Sequence, residues 1–170
     1  MQYKWIGAAL ILLSCGGFGC SIAASYRREI RILRQILDMT LHMESELSYR
    51  MTPLPELCRR VGKRTGGVVR DVLKSMAEEM DRQVFPDALS CMRHVLASYS
   101  NLPRSAARIF ARLGASLGEY DLSGQVKGLE AVRDASYCAL QRLEQNRDVR
   151  LRSYQTLGLC AGAALVIMFI

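Results

Sequence analysis

The sequence predicts an all-α protein, a six-helix bundle flanked by N- and C-terminal transmembrane helices. Three observations point there. Each end of the 170-residue chain carries a long run without a charged side chain. Between the runs, apolar residues recur at helical spacing and no segment alternates as a strand does. Proline, glycine and short polar clusters cut that middle region into pieces of helix length.

The first uncharged run lies between Lys4 and Arg27 and has 22 residues. A helix of that length reaches about 33 Å, enough to cross a hydrocarbon core. The second run, Ser153 to Ile170, has 18 residues and sits at the lower edge of spanning length. Only a helix suits either run, because lipid cannot satisfy open backbone groups. The expected division is therefore 1–26 as an N-terminal transmembrane helix, 27–152 as a cytoplasmic helical bundle and 153–170 as a C-terminal transmembrane helix. Two rival readings of the first run exist. Ala23 to Ser25 could be a signal-peptide cleavage site, and Leu12-Leu13-Ser14-Cys15 loosely resembles a lipoprotein box. The run is longer than a usual signal core and continues past Cys15 to Arg27 and Arg28, which favours an uncleaved anchor. Orientation follows from the basic flanks. Arg27, Arg28, Arg31 and Arg34 follow the first run, and Arg147, Arg150 and Arg152 precede the second. This bias places the middle region in the cytoplasm and both termini across the membrane.

The first helix should leave the membrane and continue to about Ser48. Ile30, Leu33, Leu37 and Leu41 share one of its faces, and Ile32, Ile36, Met39 and Met43 an adjoining one. Arg31, Gln35, Asp38 and His42 form the remaining polar stripe. So broad an apolar surface suits a central helix of a bundle. Pro53 and Pro55 set up a short second helix, Pro55 to Arg64, which Gly66-Gly67 ends. The third covers about Val68 to Arg82, with Val69, Val72, Leu73, Met76 and Met80 inward and Glu78, Glu79 and Asp81 outside. Pro86 opens the fourth, whose stripe is Phe85, Leu89, Met92, Leu96 and Tyr99. The fifth spans Arg104 to Leu117, with Ala106, Ile109, Phe110 and Leu113 inward. A turn with capping residues Asp121 and Ser123 leads to the sixth, which starts near Gly124 and runs into the second transmembrane segment. Its buried face carries Leu129, Val132, Leu140 and Leu143.

The region from Arg27 to Arg152 holds 22 Lys and Arg against 16 Asp and Glu. That balance suits anionic lipid head groups. Nucleic acid is not expected as a partner, since no basic run is interleaved with aromatics and no binding motif is present. The six cysteines form no CxxC pair, and His42 and His94 are isolated, so neither zinc nor a disulfide framework is expected. No nucleotide-binding glycine loop and no nucleophile elbow occur. Glu44 and Glu46 point to different sides of one helix and do not make an acid/base pair. The chain is therefore expected to be no enzyme and to carry no catalytic, cofactor or metal residues.

Three features stand above this background. Glu44 shares a face with Ile30, Leu37 and Leu41, so its carboxylate must be paired, protonated or at a partner surface. A rigid turn, Thr52-Pro53-Leu54-Pro55-Glu56, follows a helix end that carries Glu46 and Tyr49. Gly114 and Gly118 stand four apart ahead of Asp121 and Gln125, a spacing that admits a close helix neighbour and more often serves internal packing than binding.

Glu44, Glu46, Tyr49 and Thr52-Pro53-Leu54-Pro55-Glu56, together with Leu113-Gly114-x-x-Leu117-Gly118-x-x-Asp121-x-x-x-Gln125, resemble the stage III sporulation protein AB family of endospore-forming bacteria. The order of apolar N-terminus, helical middle and terminal span agrees over the whole chain. Tyr120 before Asp121 and Pro86-Asp87-Ala88 depart from the pattern. The resemblance implies a middle domain like the cytoplasmic repeat of the type II secretion F protein, the inner-membrane platform of secretion and type IV pilus machines. It implies a mother-cell membrane facing the forespore, with both termini in the intermembrane space. It implies as partners a secretion-type ATPase, sporulation protein AA, and other membrane proteins of the sporulation channel; self-association stays open. Glu46, Tyr49, Glu56, Asp121 and Gln125 are then contact residues, or equally residues that cap helices and fix turns. The rival functions are a pilus or secretion platform fragment or tethered adaptor outside sporulation, an enzyme with an unfamiliar site, and an exported lipoprotein.

Overall fold

A computed structural model describes residues 2–50, 52–117, 121 and 123–145, with side chains of the first helix described at 21 and from 24 onward. Among the described residues there are six helices and no strand. They are α1 (Gln2–Arg50), α2 (Leu54–Arg64), α3 (Gly67–Asp81), α4 (Ala88–Ala97), α5 (Arg104–Ser116) and α6, residues 123–145. The chain divides into two compact units, one of Met1–Ile30 with Arg142–Ile170 and one of Arg31–Gln141.

In the first unit, α1 is helical from Gln2 without interruption. The Tyr26 hydroxyl donates to the Leu143 carbonyl at 2.7 Å and so ties α1 to α6. Among the residues whose side chains are described, no helix is long and apolar enough to cross a membrane. The run 153–170 and most side chains of the run 5–26 lie outside those residues, as do Arg147, Arg150 and Arg152.

The second unit is the bundle. Helices α2 and α3 pack together, as do α3 with α4 and α4 with α5. Its centre is made of Leu33, Ile36, Met39 and Met43 from α1, Leu57 from α2, Leu73 and Met76 from α3, Met92 from α4, Phe110 and Leu113 from α5, and Leu129 from α6, all fully buried. Methionine fills irregular gaps between crossing helices, since its unbranched chain adapts its shape. Buried hydroxyls are satisfied locally. Thr40 Oγ1 donates to the Ile36 carbonyl at 2.8 Å and Ser136 Oγ to that of Val132 at 2.7 Å. Neither therefore leaves an unpaired polar atom in the core.

The buried faces depart from the spacing at two helices. On α1 the core takes Ile32, Leu33, Ile36, Met39, Met43 and Leu47, while Leu37 is half-buried and Leu41 is 46% exposed. The apolar surface is too broad for both faces to be covered, and the Ile36–Met43 side wins. On α4 the buried residues are Ala88, Cys91, Met92 and Val95; of the expected stripe only Met92 is among them, while Phe85, Leu89, Leu96 and Tyr99 are half-buried. The helix also starts later than Pro86. Asp87, not Pro86, is its cap: Asp87 Oδ1 accepts the Ser90 N–H at 3.0 Å. Phe85 falls outside α4 and stacks on His94 with ring centroids 4.8 Å apart. On α3, Glu79 is half-buried and accepts from Arg82 Nη1 at 2.8 Å, while Glu78 and Asp81 stay outside.

Candidate interaction site

The chemistry-bearing residues gather where the end of α1 meets α2. Proline shapes the corner. Pro53 stands at φ −55° and ψ 143° as the residue before α2, and Pro55 occupies the first turn, where a missing N–H costs nothing. The Leu57 N–H bonds back to the Pro53 carbonyl at 2.9 Å. Thr52 is buried in this corner, and Tyr49, at the end of α1, is 88% exposed. Leu54 and Pro55 are half-buried.

Arg60 joins the two glutamates on either side of the corner. Its Nε donates to Glu56 Oε1 at 3.0 Å, and its Nη1 lies 3.7 Å from Glu46 Oε2. The Arg60 hydrogen bond, with Arg59 nearby, holds the Glu56 carboxyl below the usual glutamate range. Glu46 is also 4.0 Å from Arg50 Nε. Both of its contacts are ion pairs too long to be hydrogen bonds, and Glu46 Oε2 is buried without a donor. A cavity of about 240 Å³ opens here, lined by His42, Glu46, Arg50, Arg60, Lys63 and Arg64 among others. A second cavity of the same size lies between α2 and α3, floored by Cys58 and Gly62 and rimmed by Arg59, Lys63, Arg70 and Lys74.

Glu44 is placed differently. Its side chain is 16% exposed, and its Oε2 accepts from Arg133 Nη1 of α6 at 2.9 Å. Burial raises its pKa, and Arg133 opposes that rise. The carboxylate on the apolar flank of α1 is thus a salt bridge within the bundle.

The second motif stretch builds helix contacts and a cap. A Cβ on Gly114 would stand 2.7 Å from Met92 Cβ and 3.2 Å from the Ala88 carbonyl, so α5 meets α4 with no room for a side chain. Asp121 caps α6: its Oδ1 accepts the Gly124 N–H at 3.0 Å, and its carbonyl accepts the Gln125 N–H at 2.9 Å. The Gln125 side chain is half-buried, and Gly118 lies outside the described residues. Among the described residues no hydrogen bond or ion pair joins this stretch to the α1–α2 corner. Arg27, Arg28, Arg31 and Arg34 are exposed along α1.

Spacing alone did not single out Arg60, Arg133, Lys63 or Arg64, because each reads as an ordinary surface cation until its neighbour is known. Gly128 was legible and overlooked. It stands four residues after Gly124, the same spacing as Gly114 and Gly118. A Cβ there would fall 2.4 Å from Ser116 Cβ, so α5 and α6 touch at this point. Among the described residues no group of three or more His, Cys, Asp or Glu side chains is placed to hold a metal ion. Burial pushes the Cys58 thiol up to about 12, which keeps it protonated and inert.

Known proteins resemble this chain in sequence over nearly its whole length. The model of the family described as Stage III sporulation protein AB matches residues 4–170. Stage III sporulation protein AB of Bacillus subtilis (strain 168) is 21% identical over 171 residues, which cover 97% of this chain and 98% of that protein. A solved structure of Stage III sporulation protein AB has the same fold, with a TM-score of 0.64 at 19% identity over 72% of this chain and 98% of the solved one. The chain belongs to the stage III sporulation protein AB family.

Proposed function

We propose that this protein is a non-enzymatic membrane platform in a secretion-like complex of endospore formation, passing the work of a cytoplasmic ATPase to membrane components. In this reading the bundle faces the mother-cell cytoplasm, and the uncharged runs hold it in the membrane that faces the forespore. The termini lie in the intermembrane space, and the arginines beside the runs meet anionic lipid.

The observation that carries the proposal is the continuity of α1. One helix of 49 residues, Gln2–Arg50, contains the uncharged run and also supplies the central core residues of the bundle. A helix transmits displacement along its axis better than a loop does, because its backbone is hydrogen-bonded at every turn. Motion imposed on the bundle would therefore be carried along that helix toward the span.

The test breaks that continuity. A flexible Gly-Ser insert between Arg28 and Glu29 is expected to lower spore yield at least tenfold, by the order of magnitude that lost coupling implies. Membrane association and protein level should be unchanged, and a helical insert of whole turns should restore part of the yield. Normal spore yield with the flexible insert would contradict the platform reading.

A further inference from the structure

We propose that the two cavities flanking α2 form one docking surface for an acidic, amphipathic segment of a cytoplasmic protein partner. The proposal rests on the platform reading for the partner's location, and on the structure for its chemistry. Lys63 lines both cavities, so they adjoin across a single side chain. Together they present seven arginines and lysines, of which Arg50, Arg70 and Lys74 pair with Glu46, Asp71 and Glu78. Toward the start of α2 the cations are occupied, Arg59 by Asp81 and Arg60 by Glu56. At its end, Lys63 and Arg64 have no ion pair or hydrogen bond among the described residues.

Cations in a last helical turn often serve the open carbonyls there. Here Thr65 already serves two of them. The Thr65 N–H bonds to the Val61 carbonyl at 3.1 Å, and Thr65 Oγ1 lies within hydrogen-bond distance of the Val61 and Gly62 carbonyls at 3.1 and 3.2 Å. Lys63 and Arg64 are left for another acceptor. Glu46 completes the argument from the other side. It stands among Arg50 and Arg60 at ion-pair range without a hydrogen bond, as an internal carboxylate that an incoming one would displace.

The shape selects the class of partner. The α2–α3 cavity has a buried floor of Cys58 and Gly62 beneath a cationic rim. That suits an apolar side chain flanked by carboxylates, the pattern of an amphipathic acidic helix laid in a groove. A bilayer surface cannot enter two concave cavities. Glu46 also stands fifteen residues beyond Arg31 along α1, about 22 Å on the side away from the uncharged run.

The experiment uses the full chain in zwitterionic detergent at about 0.15 M salt. The probe is a fluorescent peptide of repeated Glu-Glu-Leu-Leu units, with a Gln-Gln-Leu-Leu peptide as control, read by anisotropy. K63E/R64E and the milder K63A/R64A should weaken binding, the charge reversal by about tenfold or more. R104E/R108E, the same charge change on exposed α5 positions, should alter it by less than about twofold. Glu46→Gln should tighten binding, a direction that a merely structural role for Glu46 does not produce. Melting curves verify that each variant is folded.

Equal weakening by the α5 pair would overturn the proposal in favour of general charge attraction. So would absence of peptide binding by the folded parent, or binding of phosphatidylglycerol vesicles that K63E/R64E alone abolishes. Failure of the platform reading is seen elsewhere, in spore yield after the α1 insertion, and leaves these binding outcomes unchanged.

Discussion

Glu44 is a carboxylate that burial disfavours and one arginine keeps. Its pKa lies above the ordinary glutamate value of 4.5. A raised carboxyl pKa adds stability while the group is protonated, below about pH 4.5, and that stability is lost as pH rises through the raised value. Urea denaturation of Glu44→Gln should therefore show the variant gaining on the parent between about pH 4 and pH 7. The opposite slope would mean that the Arg133 pair outweighs desolvation. Arg133→Met should cost about 1–3 kcal/mol at neutral pH, because it leaves Glu44 half-buried without its partner. The sequence was informative here up to a limit. Helical spacing put Glu44 on an apolar flank and required a partner, but the partner lies 89 residues away on α6. Only the packing of α6 against α1 selects it. Arg60 has the same lesson. It sits four residues from Glu56, as spacing allows, and its reach to Glu46 depends on the angle that the proline corner imposes.

At the scale of elements, the bundle depends on two places where helices meet over glycine. At Gly128, a Cβ would collide with Ser116 Cβ at 2.4 Å and approach its Cα to 3.3 Å. Neither atom can swing aside, so Gly128→Ala should destabilise by about 1–3 kcal/mol despite alanine's better helix propensity. Ser116→Gly in the same chain should recover part of that loss, a coupling that a double-mutant cycle measures. Independent, additive losses would show that α5 and α6 do not meet there. Gly114→Ala is expected to destabilise in the same way, since its nearest obstacles, Met92 Cβ at 2.7 Å and the Ala88 carbonyl oxygen at 3.2 Å, are both held by the backbone of α4. Helix number, order and termini were legible to within a few residues, because prolines and glycines mark the breaks. Helix rotation was less legible. On α1 apolar residues cover more than half of the circumference, and spacing cannot say which part stays outside; Leu41 does. On α4 spacing offered both the Leu89–Met92–Leu96 stripe and the Ala88–Met92–Val95 one, and only the packing against α3 and α5 selects the second.

At the scale of the whole molecule, the uncharged runs, the 49-residue helix α1 and the excess of basic residues in the middle region are the grounds for the proposed place on the cytoplasmic face of a membrane. The family's model matches residues 4–170 and so takes in both runs, and the proposed orientation rests on the basic residues beside each run. The bundle's cysteines make this testable in cells. Cys58 and Cys91 are buried and report nothing from outside a folded chain, whereas Cys138 on α6 is exposed. A chain in which Cys15, Cys20 and Cys160 are replaced by alanine leaves Cys138 as the accessible thiol. Intact protoplasts are treated with a membrane-impermeant maleimide, and a matched sample is lysed first. The account predicts labelling of Cys138 only after lysis; labelling of Cys138 in unbroken protoplasts would place the bundle on the outer face and contradict it.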